Sequence, residues 1–236
     1  MAEAATRERP TLERAKAHTF LPDPLRSRTG QSIVALSKAP GLIGPNAILQ
    51  LKQPMDAALG AGAMDLLLTL SNVKLPTGDC MVDQRDVAAV HQTLAITFPD
   101  FAPGIAASAG KKTAHYICAN RIPAPARTVL RVVPTAVGVQ MLTKAIAKHA
   151  WTFCGTGSLT TCVRSTIRFE IKDNPVVEGM TSDAPCCHWH AAVFGELYTK
   201  LLGKPFKTKE VACRAMGASA CTFEVSRAKL LERFTI

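Results

Sequence analysis

Two cysteines stand at equal distances from a glycine near the end of the chain. The stretch EVACRAMGASAC runs from Glu210 to Cys221, and Gly217 lies midway between Cys213 and Cys221. The flanking segments FKTKEVACRA and ACTFEVSR alternate apolar and polar residues, which is typical of two strands joined by a turn at a glycine. In such a hairpin the two cysteines face each other, near enough to share a metal ion. The chain is therefore expected to fold around an antiparallel hairpin.

Two further positions are candidates to complete a four-ligand site. Cys187 opens the helical segment CHWHAAVFGELYTKLLG, and His190 lies on the same helix face. Glu210 precedes Cys213 by three residues, so it needs a bulge or a twist to reach the same face of the strand. Thiolates with one harder ligand suit tetrahedral zinc. The residues alone leave open one set with Glu210, another with His190, and an interpretation in which the cysteines are only buried core residues.

The order of elements predicts an α+β fold, with a helical N-terminal part and a small antiparallel sheet. Asp83 is a predicted N-cap, and Pro45 and Pro134 suit first helical turns. Strands are predicted in SLTTCVRSTIRFEIKDN, where β-branched residues alternate with polar ones. Helices are predicted in GLIGPNAILQL, GAMDLLLTLSNV, MVDQRDVAAVHQTLAITF, FAPGIAASAGKKTAHYICANRIP and PTAVGVQMLTKAIAKHAWTF.

The first forty residues differ in composition from the rest of the chain. They are rich in lysine and arginine and are broken by prolines and a glycine. We predict a basic, loosely ordered arm over residues 1–40 and a single domain over 41–236, of which 158–226 bears the zinc. A chain of 236 residues with 47% hydrophobic content is long enough to bury a substantial core.

The net charge of +10 favours an anionic partner. The lysines and arginines form no run, and no nucleic-acid module signature is visible, so nucleic acid is not predicted as a partner. A carboxylate-bearing ligand or an acidic protein suits the charge better. No apolar stretch approaches the roughly 18 residues of a membrane span, and the N-terminus is polar. We therefore expect a cytoplasmic protein whose eight cysteines are thiols or metal ligands rather than disulfides.

Residues 187–225 resemble the vinyl-4-reductase domain family, whose pattern is a helix-opening cysteine, then E-x-x-C, seven residues and C-x-F. In phenol-sensing activators, the related domain binds a structural zinc through Cys, Glu, Cys and Cys at this spacing. The resemblance implies an α+β fold like the trafficking component Bet3, which usually forms a homodimer and can enclose an apolar ligand. It favours Glu210 over His190 and implies the zinc ligands Cys187, Glu210, Cys213 and Cys221.

The resemblance extends over roughly residues 40–226. The segments IGPNAILQL, MVDQRDVAAVHQTL, AHYICANRIP and IAKHAWTFCGTG resemble the bacteriochlorophyll biosynthesis J family, described as divinyl protochlorophyllide 8-vinyl reductases. This implies a role at the 8-vinyl reduction stage of bacteriochlorophyll synthesis. It also implies pathway enzymes such as magnesium chelatase as partners, and a position that is cytoplasmic or peripheral to the photosynthetic membrane.

The residues themselves show no means of carrying hydride or electrons. The segment CGTGS at residues 154–158 follows a helix and precedes strands, the wrong order for a dinucleotide site. We interpret it as a helix end and a turn. The remaining cysteines are too dispersed for an iron–sulfur cluster. We therefore predict neither a bound NAD(P) nor an iron–sulfur cluster.

The same residues are compatible with a tetrapyrrole pocket. A magnesium porphyrin is a flat apolar disc with carboxylate edges, which calls for apolar walls, an aromatic or histidine side chain and basic groups at the rim. Candidate pocket residues are His149, Trp151, His115, Tyr116 and Arg121. We favour an accessory protein that binds a magnesium porphyrin or divinyl protochlorophyllide. The alternatives are a true 8-vinyl reductase that uses an external reductant, and a non-catalytic sensor or assembly module.

Overall fold

Helices dominate the first part of the chain. The computed structural model describes residues 33–36 and 41–228. All five predicted helical segments contain a helix, and the Asp83 carboxylate caps one of them by accepting a hydrogen bond from the Arg85 backbone N–H at 2.8 Å. The helices are α1 Asn46–Leu49, α2 Lys52–Leu59, α3 Ala63–Ser71, α4 Gln84–Thr97, α5 Ala102–Asn120, α6 Ala124–Val132 and α7 Thr135–Lys148.

Helix α6 was not predicted. Its sequence APARTVLRV has prolines at its N-cap and in its first turn, and it buries only Leu130. The sequence pattern predicts that Pro123 marks the end of the preceding helix, whereas Pro123 and Pro125 stand where a new helix begins, a position that tolerates proline. The first predicted segment contains only the short helix α1, and a separate helix α2 begins directly after it, at Lys52.

An antiparallel sheet of five strands forms the second part of the fold. The strand order is β1-β4-β5-β7-β6, and every neighbouring pair is antiparallel. The predicted α+β class with a small antiparallel sheet is therefore confirmed. The remaining elements are β1 Ile33–Leu36, β4 Ser158–Val163, β5 Ile167–Lys172, α8 His188–Leu202, β6 Phe206–Ala212 and β7 Ala220–Arg227, with a separate pair of short strands, β2 Leu42–Ile43 and β3 Val82–Asp83.

Strand β1 lies within the range that the sequence assigned to the basic arm. Its residues IVAL are β-branched or apolar, and they pair with β4 at the edge of the sheet. The rest of the predicted arm, residues 1–32 and 37–40, lies outside the described residues. None of the helices in the described part of the chain is long and apolar enough to cross a membrane.

Helix α8 is the element around which the domain packs. It lies against α5 so closely that a Cβ added to Gly110 would come within 2.4 Å of the Trp189 carbonyl oxygen. On the sheet side, the ring of Phe194 stacks on that of Phe169 with centroids 4.5 Å apart. Gly203, in the left-handed conformation, ends the helix as predicted. This packing places the first turn of α8 beside the β6–β7 hairpin and its last turns beside α5 and α6.

Candidate metal centre and cationic cleft

The β6–β7 hairpin contains a bulge, one of the two distortions that would bring Glu210 to the face of Cys213. Glu210 pairs with Phe223, yet Ala212 pairs with Thr222, so the register shifts between these two residues of β6. The extra residue, Val211, is left without a partner on β7. Because a bulge of one residue reverses which face the following side chains occupy, Glu210 and Cys213 reach the same side of the hairpin.

Four candidate ligand atoms converge beside this hairpin. One atom from each of Cys187, Glu210, Cys213 and Cys221 lies within 4.8 Å of the others. The Cys187 Sγ is 3.8 Å from the Cys213 Sγ and 3.3 Å from the Cys221 Sγ. A tetrahedral zinc with Zn–S bonds of about 2.3 Å separates its sulfurs by about 3.8 Å. The spacing of this thiol–carboxylate cluster therefore fits a single tetrahedral ion.

The carboxylate of Glu210 provides a second test of that fit. Its Oε2 accepts a hydrogen bond from the Cys187 backbone N–H at 2.8 Å, which ties β6 to the start of α8. Its Oε1 is buried and has no hydrogen-bond partner among the described residues. Burial raises the pKa of Glu210 to about 7, although the bond from Cys187 opposes that shift. A buried carboxylate oxygen without a donor is costly, and a cation held by the three thiols would satisfy it.

The sulfur atoms share their protons unequally. Hydrogen bonds from Cys186, and then from Cys187 and Cys221, lower the pKa of Cys213, so the thiolate concentrates there. Burial raises the pKa of Cys187. Two further donors face the sulfurs: the Asn174 Nδ2 lies 3.4 Å from the Cys187 Sγ, and the Arg214 backbone N–H donates to the Cys221 Sγ at 3.4 Å. Such outer donors orient thiolate ligands and stabilise their charge.

Cys186 is a neighbour of the cluster that sequence reasoning missed. Its half-buried Sγ lies 3.8 Å from the Cys213 Sγ, but it is not among the four converging ligands. The adjacent pair Cys186–Cys187 was the signal available in the sequence. Only one of two consecutive residues can open the helix towards the hairpin, and the structure shows that it is Cys187.

His190 lies outside the cluster. It is 1% exposed, and its ring packs against those of Trp189 and Phe153 at centroid distances of 4.8 and 5.9 Å. Within the described chain, neither ring nitrogen has a partner in hydrogen-bonding geometry, and burial lowers the pKa of His190 to about 3 despite a weak interaction with the Phe153 backbone. Of the two ligand sets left open by the residues, the structure brings together the one with Glu210.

The five predicted pocket residues are not gathered at one place. His149 is exposed at the end of α7, and Trp151 is half-buried in the 3-10 turn that follows. Arg121 lies over the Tyr116 ring, 5.7 Å from its centroid. Of the five, His115 is the one that lines a cleft in the described surface. Helical periodicity indicates which side chains share one face of a helix. It does not show which faces of different helices lie together in the fold.

That cleft lies between α5, α6 and the end of α8 and has a volume of about 480 Å³. Arg127, Arg131 and Lys200 supply its positive charge, and none of the described residues that line it is acidic. Glu196 lies beside it, where its Oε1 is 2.7 Å from the His115 Nε2 and 4.0 Å from the Lys200 Nζ. Because three cationic side chains line the cleft and Glu196 supplies one carboxylate beside it, this cationic cleft retains positive charge for an anionic ligand.

Comparison with known proteins identifies the family. The chain is 45% identical over 184 residues to the bacteriochlorophyll synthase 23 kDa chain of Cereibacter sphaeroides, covering 78% of this chain and 89% of that relative. The chain belongs to the family of the bacteriochlorophyll synthase 23 kDa chain. Another member, from Rhodobacter capsulatus, is 37% identical over 182 residues, with 77% of this chain and 85% of that relative covered.

The family model of the vinyl-4-reductase domain matches residues 167–227 of this family member. The matched segment runs from β5 to β7 and contains the whole thiol–carboxylate cluster. Among solved structures, the Fe(II) unliganded H-NOX protein from K. algicida superposes with a TM-score of 0.52 at 6% identity, covering 80% of this chain and 98% of that one. At such low identity, this likeness concerns the fold alone.

Proposed function

We propose that this member of the 23 kDa chain family is an accessory protein of bacteriochlorophyll synthesis that binds a tetrapyrrole. The ligand is a magnesium porphyrin or divinyl protochlorophyllide, carried between pathway enzymes towards the 8-vinyl reduction stage. Magnesium chelatase, whose product is a magnesium porphyrin, is one expected partner. The names of its relatives support a role in the pathway. The proposal that the protein binds a tetrapyrrole is supported by the cationic cleft on its surface.

The cationic cleft is the observation that carries the proposal. A tetrapyrrole of this pathway presents ionised carboxylate on an otherwise apolar disc. Arg127 and Arg131 lie one turn apart on α6, and Lys200 faces them from α8. Arginine pairs well with carboxylates because its planar guanidinium offers parallel N–H donors. The ring would lie against the apolar part of the lining, which includes Ala119, Ala124 and Leu201.

We further propose that the thiol–carboxylate cluster holds a structural zinc. Three sulfurs and one carboxylate oxygen fill all four tetrahedral positions, which leaves none for substrate or water. Three of the residues are buried, and Glu210 is 9% exposed. When bound, the ion would supply positive charge that neutralises the thiolates and the carboxylate. Its ligands would then tie the hairpin to the start of α8.

The experiment that tests the binding function is a spectroscopic titration. Purified protein, with its zinc content measured, is titrated with divinyl protochlorophyllide alone and then with NADPH or reduced ferredoxin present. We expect micromolar binding and a bound spectrum that keeps its divinyl form under all conditions. Formation of monovinyl pigment would overturn the carrier proposal in favour of the reductase, and absence of binding at micromolar protein would exclude both.

Two associated predictions concern assembly. We expect a homodimer, which sedimentation equilibrium of the purified protein measures directly. We also expect the pigment-free protein to bind magnesium chelatase more tightly than the pigment-loaded protein, because only an empty carrier can accept the magnesium porphyrin that the chelatase produces. A pull-down with equal amounts of both forms tests this, and equal recovery would argue against a carrier role.

A further inference from the structure

The outer surface of α6 and α7 combines exposed apolar side chains with positive charge. Val132 is 75% exposed and Val129 is 42% exposed on α6, while Val137 and Met141 are 47% and 42% exposed on α7. The two helices are consecutive, joined through Val133 and Pro134, and pack against each other. We call these four side chains, together with Lys144 and Lys148, the α6–α7 face.

The cations of this face continue its apolar stripe. Val137, Met141, Lys144 and Lys148 are spaced by four, three and four residues, which places them along one side of α7. All four are exposed. The helix therefore presents apolar side chains near its start and ammonium groups near its end, the latter on long stems that can lie along an apolar surface.

The stretch of sequence around the face contains no negative charge. Residues 101–169 include no aspartate or glutamate, whereas lysines and arginines recur throughout them. A face with cations and no carboxylates is attracted to a polyanionic surface without local repulsion. It would repel a second copy of itself, because an isologous contact would bring like charges together. The basic arm of residues 1–40 carries the same sign of net charge and is an equally poor partner.

From these observations we propose that the α6–α7 face docks on the surface of an anionic lipid bilayer. A lipid surface is favoured over an acidic protein because residues 124–148 contain no aromatic side chain and their exposed apolar groups are small and spread out. Protein interfaces concentrate their binding energy in buried aromatic and arginine anchors. Binding at a lipid surface instead strengthens with the apolar area buried among the headgroups and with the attraction of cations to anionic lipid, and the α6–α7 face offers both.

This docking has a consequence for the cationic cleft, and that consequence alone rests on the proposed function. Helix α6 contributes Arg127, Thr128 and Arg131 to the cleft, while Val129 and Val132 lie on its exposed side. A bilayer that receives the valines would therefore lie next to the cleft opening. An apolar pigment could then pass between lipid and protein without crossing bulk water, where its apolar disc is poorly solvated.

The test is a flotation assay of the full chain with two kinds of vesicle. One contains phosphatidylcholine only, and the other contains phosphatidylcholine with about one third phosphatidylglycerol. We expect binding to the anionic vesicles that weakens at high salt, and little binding to the neutral ones. Equal binding to both vesicles, or to neither, would overturn the proposal. Because no pigment is present, the result does not depend on whether the protein binds tetrapyrroles.

Matched variants locate the docking surface. Val132→Asp should weaken anionic vesicle binding more than tenfold, whereas Ile96→Asp, at a residue 73% exposed on α4, should leave it unchanged. The pair Lys144→Ala and Lys148→Ala should weaken binding about 20-fold, since each cation near an anionic surface contributes about fivefold. The control pair is Lys74→Ala and Lys172→Ala, which are also exposed. Full binding by Val132→Asp or by the Lys144/Lys148 pair would assign the contact to another region, such as the basic arm.

Discussion

The thiol–carboxylate cluster and the cationic cleft lie at the two ends of α8 but differ in how far their side chains are exposed to solvent. Cys187 precedes the helix and Lys200 lies near its end, about 20 Å further along the axis. The cluster is buried, and its members hydrogen-bond to one another and converge where a cation would neutralise their charge. The cleft side chains reach solvent, which hydrates their charge. Changes in the buried cluster are therefore expected to alter the stability of the fold, whereas changes in the exposed cleft are expected to alter ligand binding.

The largest effect is expected from Cys213→Ser. Removing the thiolate that three other cysteines stabilise should abolish metal binding and lower the free energy of unfolding by more than about 4 kcal/mol, the range in which loss of a metal site falls. Metal content per chain and the thermal midpoint measure this. Cys80→Ser, at an exposed cysteine, is the control and should change neither. An unchanged metal content in Cys213→Ser would refute the ligand assignment.

Acid should weaken the core beside the cluster. His91 is buried, its Nε2 lies 3.0 Å from the Ala47 carbonyl oxygen, and its ring meets Trp189 at the start of α8. Burial lowers the pKa of His91 from 6.5 to about 4. In the unfolded chain His91 therefore takes up a proton below about pH 6.5, whereas in the folded chain it does so only near pH 4. Stability is full above pH 6.5, and up to about 3 kcal/mol of it is lost as the pH falls to 4.

The variant His91→Gln tests that contribution. Glutamine does not titrate and retains an N–H donor for the Ala47 carbonyl. Denaturant unfolding at pH 7, 6 and 5, with metal saturating throughout, should show a shallower loss of stability for the variant than for the wild type. Burial lowers the pKa of His190, and the charge of His91 lowers it further, so the difference between the two proteins includes this coupling as well as the titration of His91 itself. Parallel pH profiles would show that His91 is not a source of the acid sensitivity.

A change in α5 tests whether the two ends of α8 depend on the same packing. Gly110→Ala places a methyl group 2.4 Å from the Trp189 carbonyl oxygen and 2.8 Å from the Ala192 Cβ, so α5 and α8 must move apart. We expect a loss of about 1–3 kcal/mol in unfolding free energy, weaker metal retention and weaker pigment binding. Gly104→Ala, in the same helix, meets nothing within 4 Å and should be neutral or slightly stabilising. Equal stability of the two variants would contradict the close packing.

The smallest effect on stability is expected in the cationic cleft. Arg131→Ala should change the free energy of unfolding by less than about 0.5 kcal/mol, because the side chain is exposed. It should weaken binding of divinyl protochlorophyllide about tenfold through loss of one charge-assisted hydrogen bond. Arg121→Ala is the control, since Arg121 lies over Tyr116 and not in the cleft lining. Weaker binding by Arg121→Ala alone would favour the pocket predicted from sequence.

The sequence was more informative about the thiol–carboxylate cluster than about the cationic cleft. The hairpin and the candidate ligands Cys187, Cys213 and Cys221 were predictable because strand spacing, a turn glycine and a helix start act over a few residues, and the family pattern favoured Glu210 over His190. The cleft was not predictable, because it depends on which exposed faces of α5, α6 and α8 meet. His115 was predicted as a pocket residue. Arg127, Arg131 and Lys200 were not, because nothing in the neighbouring sequence distinguishes them from other arginines and lysines on a protein surface.

The sequence by itself determined the α+β class, most helices, the hairpin and the three candidate cysteines of the thiol–carboxylate cluster. Local spacing, capping and turn chemistry carry that information, since each acts within a few residues along the chain. Only the tertiary structure decided between Glu210 and His190, brought Cys186 beside Cys213, and assembled the cleft and the α6–α7 face. Those outcomes depend on how helices pack, and packing is set by contacts between side chains distant in sequence.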